Sequence, residues 1–282
     1  DEFVDSLPIL FKRIENNGAG YEIYQGLNKY AAEKPQEAVE LLGLIEKKNT
    51  KETLSFSASI LSGLSKSKTT FDYQKKILDF IDSKDENKIS SGVDATYRSI
   101  FTDKKEEKKF LKKVHNKLKS VLSEEPTKCY GIITRFYNKH LTNIEEAKEV
   151  ILRLLVLRNV EVQSEVARSL NEEFKPDDDI EFFQECLSHL TYTNTKYKGI
   201  YNTIRFRLKD ITKSHPKIIL KLIDDWVLNN KKNLKGIATL EGIIQELYFE
   251  HPSSIKKMFL DWLNSDNHLY KFALQFVISN LS

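Results

Sequence analysis

Cys186 and His189 stand three residues apart, a spacing that sets a thiol and an imidazole on one helical face, where a soft divalent metal could bind. Two ligands leave a tetrahedral site half filled. Leu187 and Leu190 continue the same segment as an apolar stripe, so the expectation is core packing, with no metal and no other cofactor. Asp177, Asp178, Asp179 and Glu181 crowd carboxylates behind Pro176. Such a run could hold a cation or do acid–base work. Its place at an expected helix start favours a plainer role: capping open N–H groups and opposing the helix macrodipole. His215 and His251 each precede a proline. A catalytic base is needed once, so the repetition implies a repeated structural task. The sequence contains no H-E-x-x-H, Walker loop, Gly-rich fingerprint, G-x-S-x-G or EF-hand loop. The chain is expected to be no enzyme and to have no catalytic residue.

The elements that carry these residues are helices. Among 282 residues there are only 10 Gly and 6 Pro, too few for the tight turns of an all-β sandwich or barrel. Two cysteines exclude a disulfide framework and a cysteine-based zinc fold. Lys plus Arg is 44 against 41 Asp plus Glu, so the net charge of +3 creates no whole-chain field that demands nucleic acid or an acidic membrane. No apolar run approaches the roughly 18 residues of a membrane-spanning helix. The start, DEFVDSLPILF, is acidic where a signal peptide would be positive. These features predict a soluble cytoplasmic protein with free thiols and no membrane partner. The chain begins at Asp1 and ends at FVISNLS inside an apolar periodic run, which suggests a piece of a longer protein.

Apolar residues recur at helical spacing in segments of about 12 to 18 residues. The segments repeat. Ile219, Leu222, Ile223, Trp226 and Val227 follow His215-Pro216; Ile255, Met258, Phe259, Trp262 and Leu263 follow His251-Pro252 at the same offsets, 36 residues later. Leu41, Leu42 and Ile45 follow Pro35, and Ile77, Leu78 and Ile81 come 36 residues on. Proline suits the first turn of a helix, where its missing N–H has no partner to lose. Two-helix units are expected to start near residues 1, 35, 70, 104, 143, 179, 216 and 253, with helices such as 145–159 and 160–170 pairing inside a unit. One such unit cannot bury its stripe alone; stacked neighbours make a continuous core.

Val162, Val166, Ala167 and Leu170 resemble the second-helix pattern of HEAT repeats, and the Pro-led helices at 35, 216 and 252 resemble HEAT first helices. The Asp-then-Arg ladder usual between the two helices is largely absent, and the tetratricopeptide pattern is not met, so "HEAT-like" is the name the residues support. The resemblance implies an all-α, right-handed α-solenoid of about eight two-helix repeats, forming a single domain over 1–282. It also implies a curved surface whose inner face is lined by second helices. HEAT-like folds include alkylpurine DNA glycosylases, which set tryptophans and an aspartate around a damaged base. Asp225-Trp226 and Asp261-Trp262 are the candidates here. Because the two tryptophans occupy equivalent stripe positions, core packing twice is the stronger expectation.

Basic surface is the remaining signal. Residues 104–119 hold eight Lys and two Glu. Phe110, Leu111, Val114 and Leu118 form their apolar stripe, leaving a face of Lys105, Lys108, Lys109, Lys112, Lys113 and Lys117 that could neutralise phosphates or simply be solvated. The segment 196–213 carries Lys196, Lys198, Arg205, Arg207, Lys209 and Lys213 against Asp210, with Tyr197, Tyr201 and Phe206 as candidate base-stacking rings. The second helix expected over 126–141 has Lys128, Arg135 and Lys139 and no acid, but between it and 196–213 the segment 160–173 is acidic through Glu161, Glu165, Glu172 and Glu173 against Arg168, which interrupts a phosphate track. Mixed charge suits a protein partner. The leading expectation is a non-enzymatic protein-interaction scaffold or adaptor. The alternative is a nucleic-acid-binding protein, with the glycosylase activity as its extreme form. The candidate interaction surface is Lys105, Lys108, Lys109, Lys112, Lys113, Lys198, Tyr201, Arg205 and Arg207. The sequence leaves the partner's identity and the oligomeric state open.

Overall fold

The computed structural model describes residues 2–17, 20–101, 103–123, 128–193, 198–231 and 234–281. It is all-helical, with no strand among the described residues. Contacts divide the chain into two units, residues 1–147 and 148–282. No helix among the described residues is long and apolar enough to cross a membrane.

The first unit is built from helix pairs: α1 (Glu2–Asn17) with α2 (Gly20–Glu33), α3 (Pro35–Lys48) with α5 (Ser57–Leu64), α6 (Tyr73–Ile81) with α7 (Glu86–Arg98), and α8 (Lys104–Ser123) with α9 (Tyr130–Lys139). A one-turn helix, α4 (Lys51–Leu54), is inserted in the second pair, started by a capping box between Thr50 and Thr53. The second helices lie side by side in the order α2, α5, α7, α9. The centre of that row is α5, with all eight residues of Ser-Ala-Ser-Ile-Leu-Ser-Gly-Leu buried. Its small side chains let α2 approach closely. A Cβ added at Gly63 would fall on the Asn28 carbonyl oxygen and 2.7 Å from the Ala31 Cβ.

Local chemistry explains where these helices begin. Asp72 accepts from the Lys75 N–H at 2.9 Å, and Asp85 from the Asn87 N–H at 2.8 Å. These side-chain oxygens satisfy donors that no earlier turn can reach. At its end α3 passes into Asn49, whose φ of 45° is left-handed and so suits a short polar side chain.

The second unit continues with α10 (Ala147–Val156) and α11 (Val160–Glu172), α12 (Ile180–Leu190) and α13 (Lys198–Ser214), α14 (Pro216–Asn229) and α15 (Glu241–Glu250), and α16 (Pro252–Asn264) and α17 (His268–Leu281). Here α11, α13 and α15 lie side by side, as do α12, α14 and α16. Val162, Val166, Ala167 and Leu170 are fully buried on α11. Asp179 caps α12, accepting from the Phe182 N–H at 3.0 Å and pairing with Lys148, so the acidic run serves a helix start. The connection from α14 to α15 departs from a plain hairpin, because 234–240 winds as a 3-10 helix packed against α17.

Three joints share one geometry. Lys34, His215 and His251 each precede the proline that opens a helix. Their (φ, ψ) values are (−128°, 64°), (−134°, 59°) and (−136°, 58°). Each still donates its own N–H to the helix behind it: Lys34 to Tyr30 O, His215 to Ile211 O and His251 to Leu247 O, at 2.7–2.8 Å. One residue thus ends one helix and starts the next, because proline excludes its predecessor from the helical region. This is the repeated task of the His-Pro pairs.

Side chains tie neighbouring pairs at nearly constant sequence separation. In the first unit Asn28 donates to Ser62, 34 residues on, and Ser62 to the Arg98 carbonyl, 36 further. In the second, Ser188 donates to Asp225, 37 residues on, and Trp262 reaches back 38 to Asp224 at 2.7 Å.

Candidate functional site

Along α2, Tyr21, Tyr24, Gln25, Asn28 and Lys29 occupy one helical face, while Leu27 and Ala31 are buried. On α5, Ser59 and Ser62 face the same way, with Lys66 just beyond the helix end. The C-terminal end of α7 contributes Tyr97 and Arg98, and the last residue of α9 is Lys139. Together they wall a cleft of about 630 Å³ on the second-helix row of the first unit. Among the described residues that line it there is no Asp or Glu.

A hydrogen-bonded chain holds the walls. Asn28 Nδ2 donates to Ser62 Oγ at 2.9 Å, and Ser62 Oγ donates to the Arg98 carbonyl at 2.9 Å. Lys66 Nζ donates to Asn28 Oδ1 at 2.6 Å, and Lys139 Nζ donates to the Tyr97 carbonyl. Part of this is helix-end chemistry, since cations near C-termini offset the macrodipole. An ammonium has three donors, however, and Lys66 uses one on Asn28. Two of the cations have carboxylate partners: Arg98 pairs with Asp94 at 2.8 Å, and Lys29 with Glu33 at 3.9 Å, the latter between two well-exposed side chains.

The tyrosines orient these cations. The Arg98 guanidinium lies 5.4 Å from the Tyr24 ring centroid, and Tyr24 packs on Phe56 with centroids 5.4 Å apart. Lys139 and Arg135 lie 4.3 and 4.8 Å from the Tyr97 centroid. A ring beneath a cation fixes its position and leaves the charge in place. The result is a preorganised, donor-rich wall with no carboxylate among the described lining residues.

Of the basic residues singled out from sequence, Lys139 lines the cleft and Arg135 shares its Tyr97 ring; the candidate interaction surface falls elsewhere. Lys105, Lys108, Lys109, Lys112 and Lys113 are exposed on α8, over buried Phe110, Leu111, Val114 and Leu118. Lys117 pairs with Asp82 at 2.8 Å. On α13 in the second unit, Arg205 is exposed and lies 5.2 Å from the Phe206 ring. Arg207 is instead a structural clamp, its Nε donating to the Leu170 carbonyl at 3.3 Å. Tyr201 needs correction as a surface residue. It is 4% exposed, with its hydroxyl donating to the Leu190 carbonyl at 3.0 Å, so its ring has no face for a ligand. The spacing Tyr201, Ile204, Leu208, Ile211 shows why: the four share the inward stripe of α13. The Lys198 side chain lies outside the described residues, as do Lys196 and Tyr197.

Trp226 is fully buried on α14, and Trp262 on α16 is 3% exposed and stacked on Tyr270 at 5.2 Å. Both rings belong to packing. Cys186 is buried on α12, and burial pushes its thiol up in pKa and holds the His189 imidazole down.

Sequence reasoning missed the cleft. Its signal is one cation per second helix, Lys29, Lys66, Arg98 and Lys139, readable only after those helices are aligned. Comparison with family models, with curated proteins and with solved structures finds no match to this chain.

Proposed function

We propose that this chain is a non-enzymatic, HEAT-like α-solenoid scaffold whose cleft in the first unit holds an acidic segment of a protein partner. The observation that carries this reading is the cleft wall: four cations from four successive helix pairs, tyrosine rings beneath Arg98 and Lys139, and no carboxylate among the described lining residues. The succession of helix pairs among the described residues and side-chain bonds between pairs at separations of 34 to 38 residues support the repeat architecture. Like charges gathered on one wall repel each other, and an acidic ligand relieves that repulsion. A groove of fixed cations also gives specificity through charge complementarity.

The test is fluorescence anisotropy with a labelled 12-residue Glu-rich peptide. Lys66→Glu combined with Arg98→Glu should abolish binding while the helical content stays unchanged. Equal binding by that variant and the natural chain would refute the assignment.

A second reading is favoured by one observation, the uniformly exposed lysine face of α8. That face would take the phosphates of a nucleic acid, with an affinity that falls steeply between about 50 and 200 mM salt.

A further inference from the structure

We infer that the anion the cleft is built for is a phosphorylated serine or threonine side chain carried by the partner's segment. This rests on the reading above and narrows it. A carboxylate carries one charge; a phosphate monoester carries roughly −1.5 to −2 at pH 7, with three acceptor oxygens. The wall matches the larger charge. Lys66, Arg98 and Lys139 come from three successive helix pairs yet line one cleft, and the Arg98 guanidinium lies 5.4 Å from the Tyr24 ring centroid two pairs back. Of the lining serines, Ser62 and Ser99 already donate to the Arg98 and Ala95 carbonyls, which leaves Ser59. Ser59 Oγ, in a residue only 1% exposed, meets no hydrogen-bond partner among the described residues. An acceptor-only ligand with oxygens in three directions satisfies such a wall, and guanidinium–phosphate pairing is the stronger, more directional form of that contact.

The carrier is a peptide and not a nucleotide because the rings are already taken. Tyr24 contacts both Phe56 and Arg98, and Tyr97 carries Arg135 and Lys139. Both rings already carry cation contacts that a stacking base would have to displace. Tyr21, at the rim and 73% exposed, is too solvated to enclose one.

The experiment uses the full chain and four labelled probes: the Glu-rich 12-mer, its twin with one central Glu replaced by phosphothreonine, the unphosphorylated threonine twin, and a 12-mer of deoxythymidine. The phosphorylated twin should bind about tenfold or more tighter than the Glu peptide at pH 7.5. That advantage should shrink at pH 5.5, below the phosphate's second pKa of about 6. Lys66→Gln, at an exposed position, should remove the advantage without changing the melting temperature. Equal affinity of the phosphorylated and Glu peptides would overturn the phosphate assignment and leave the acidic-segment reading intact. No binding of any peptide at 50 mM salt would overturn both. Tighter binding of the oligonucleotide, lost in Lys66→Gln, would make the cleft a nucleic-acid site and also overturn both. Displacement of the phosphorylated peptide by an equal concentration of inorganic phosphate would show a free-anion site and overturn the carrier.

Discussion

Gly63 of α5 sits against the backbone of Asn28 in α2, at a distance that leaves no room for a methyl group. The same Asn28 closes the hydrogen-bonded chain of the cleft wall through Ser62 and Lys66. Packing and site therefore share one contact. Gly63→Ala must push α2 away, because the atom in the way is backbone and cannot rotate aside. Overpacking of this kind costs about 1–3 kcal/mol, and more where backbone moves. Urea unfolding should show that loss, and binding of the acidic peptide should weaken as well. A variant as stable as the natural chain would show that the two helices are not in close contact.

Ser62→Ala removes the group that accepts from Asn28 and donates to the Arg98 carbonyl. Both partners are left in a part-buried setting. The expected cost is about 1–3 kcal/mol. In a double-mutant cycle with Asn28→Ala, the two changes should cost less together than the sum of each alone, because they break one shared bond. Strict additivity would argue against the bond.

Trp262→Phe deletes the donor to Asp224 and part of a stacked aromatic core. Burial already raises the Asp224 carboxyl, and the indole N–H opposes that rise. Loss of the donor leaves a half-buried carboxylate less well satisfied. Destabilisation of roughly 2–4 kcal/mol is expected, with Asp224→Asn costing less because an amide oxygen still accepts. Thermal melts of the two variants decide it. A folded Trp262→Phe protein of natural stability would reopen the reading of this tryptophan as part of a pocket.

His140 is buried against Phe136, and burial lowers its pKa from 6.5 to about 4. The folded chain resists a proton that the unfolded chain accepts. Above about pH 6.5 this group has no effect on stability. As pH falls from 6.5 towards 4, protonation of the unfolded state removes stability, on the order of 3 kcal/mol in full. Burial lowers His115 and His189 too, and they act in the same sense. Melting temperatures measured from pH 7 to 4 should fall more steeply for the natural chain than for His140→Leu. Parallel curves would place His140 in contact with water.

Much of this architecture was legible in the sequence. The stripe from Ile219 to Val227 and its copy from Ile255 are local patterns, set by residues within one helix. So is the proline that starts the first helices at 35, 216 and 252. Tyr201 was misread although its own stripe was visible, because nearby Arg205 and Arg207 suggested a surface. The cleft was harder to see for a physical reason. Asn28, Ser62, Arg98 and Lys139 are each unremarkable on their own helix, and only the lateral order α2, α5, α7, α9 brings them together. Charge runs such as 104–119 draw the eye in one dimension. A site assembled from one residue per repeat leaves no run.

The one-residue joints at Lys34, His215 and His251 carry a consequence for how such a chain can change over generations. A connector that is at once the last residue of one helix and the first cap of the next has no slack. An inserted amino acid there would rotate everything downstream by about 100° about the helix axis and turn a stripe outward. Around these three joints, length variation must therefore fall at the opposite ends of the flanking pairs, in the turns between first and second helices. Relatives of this chain, when aligned, should differ in length at those turns and keep the X-Pro steps uninterrupted.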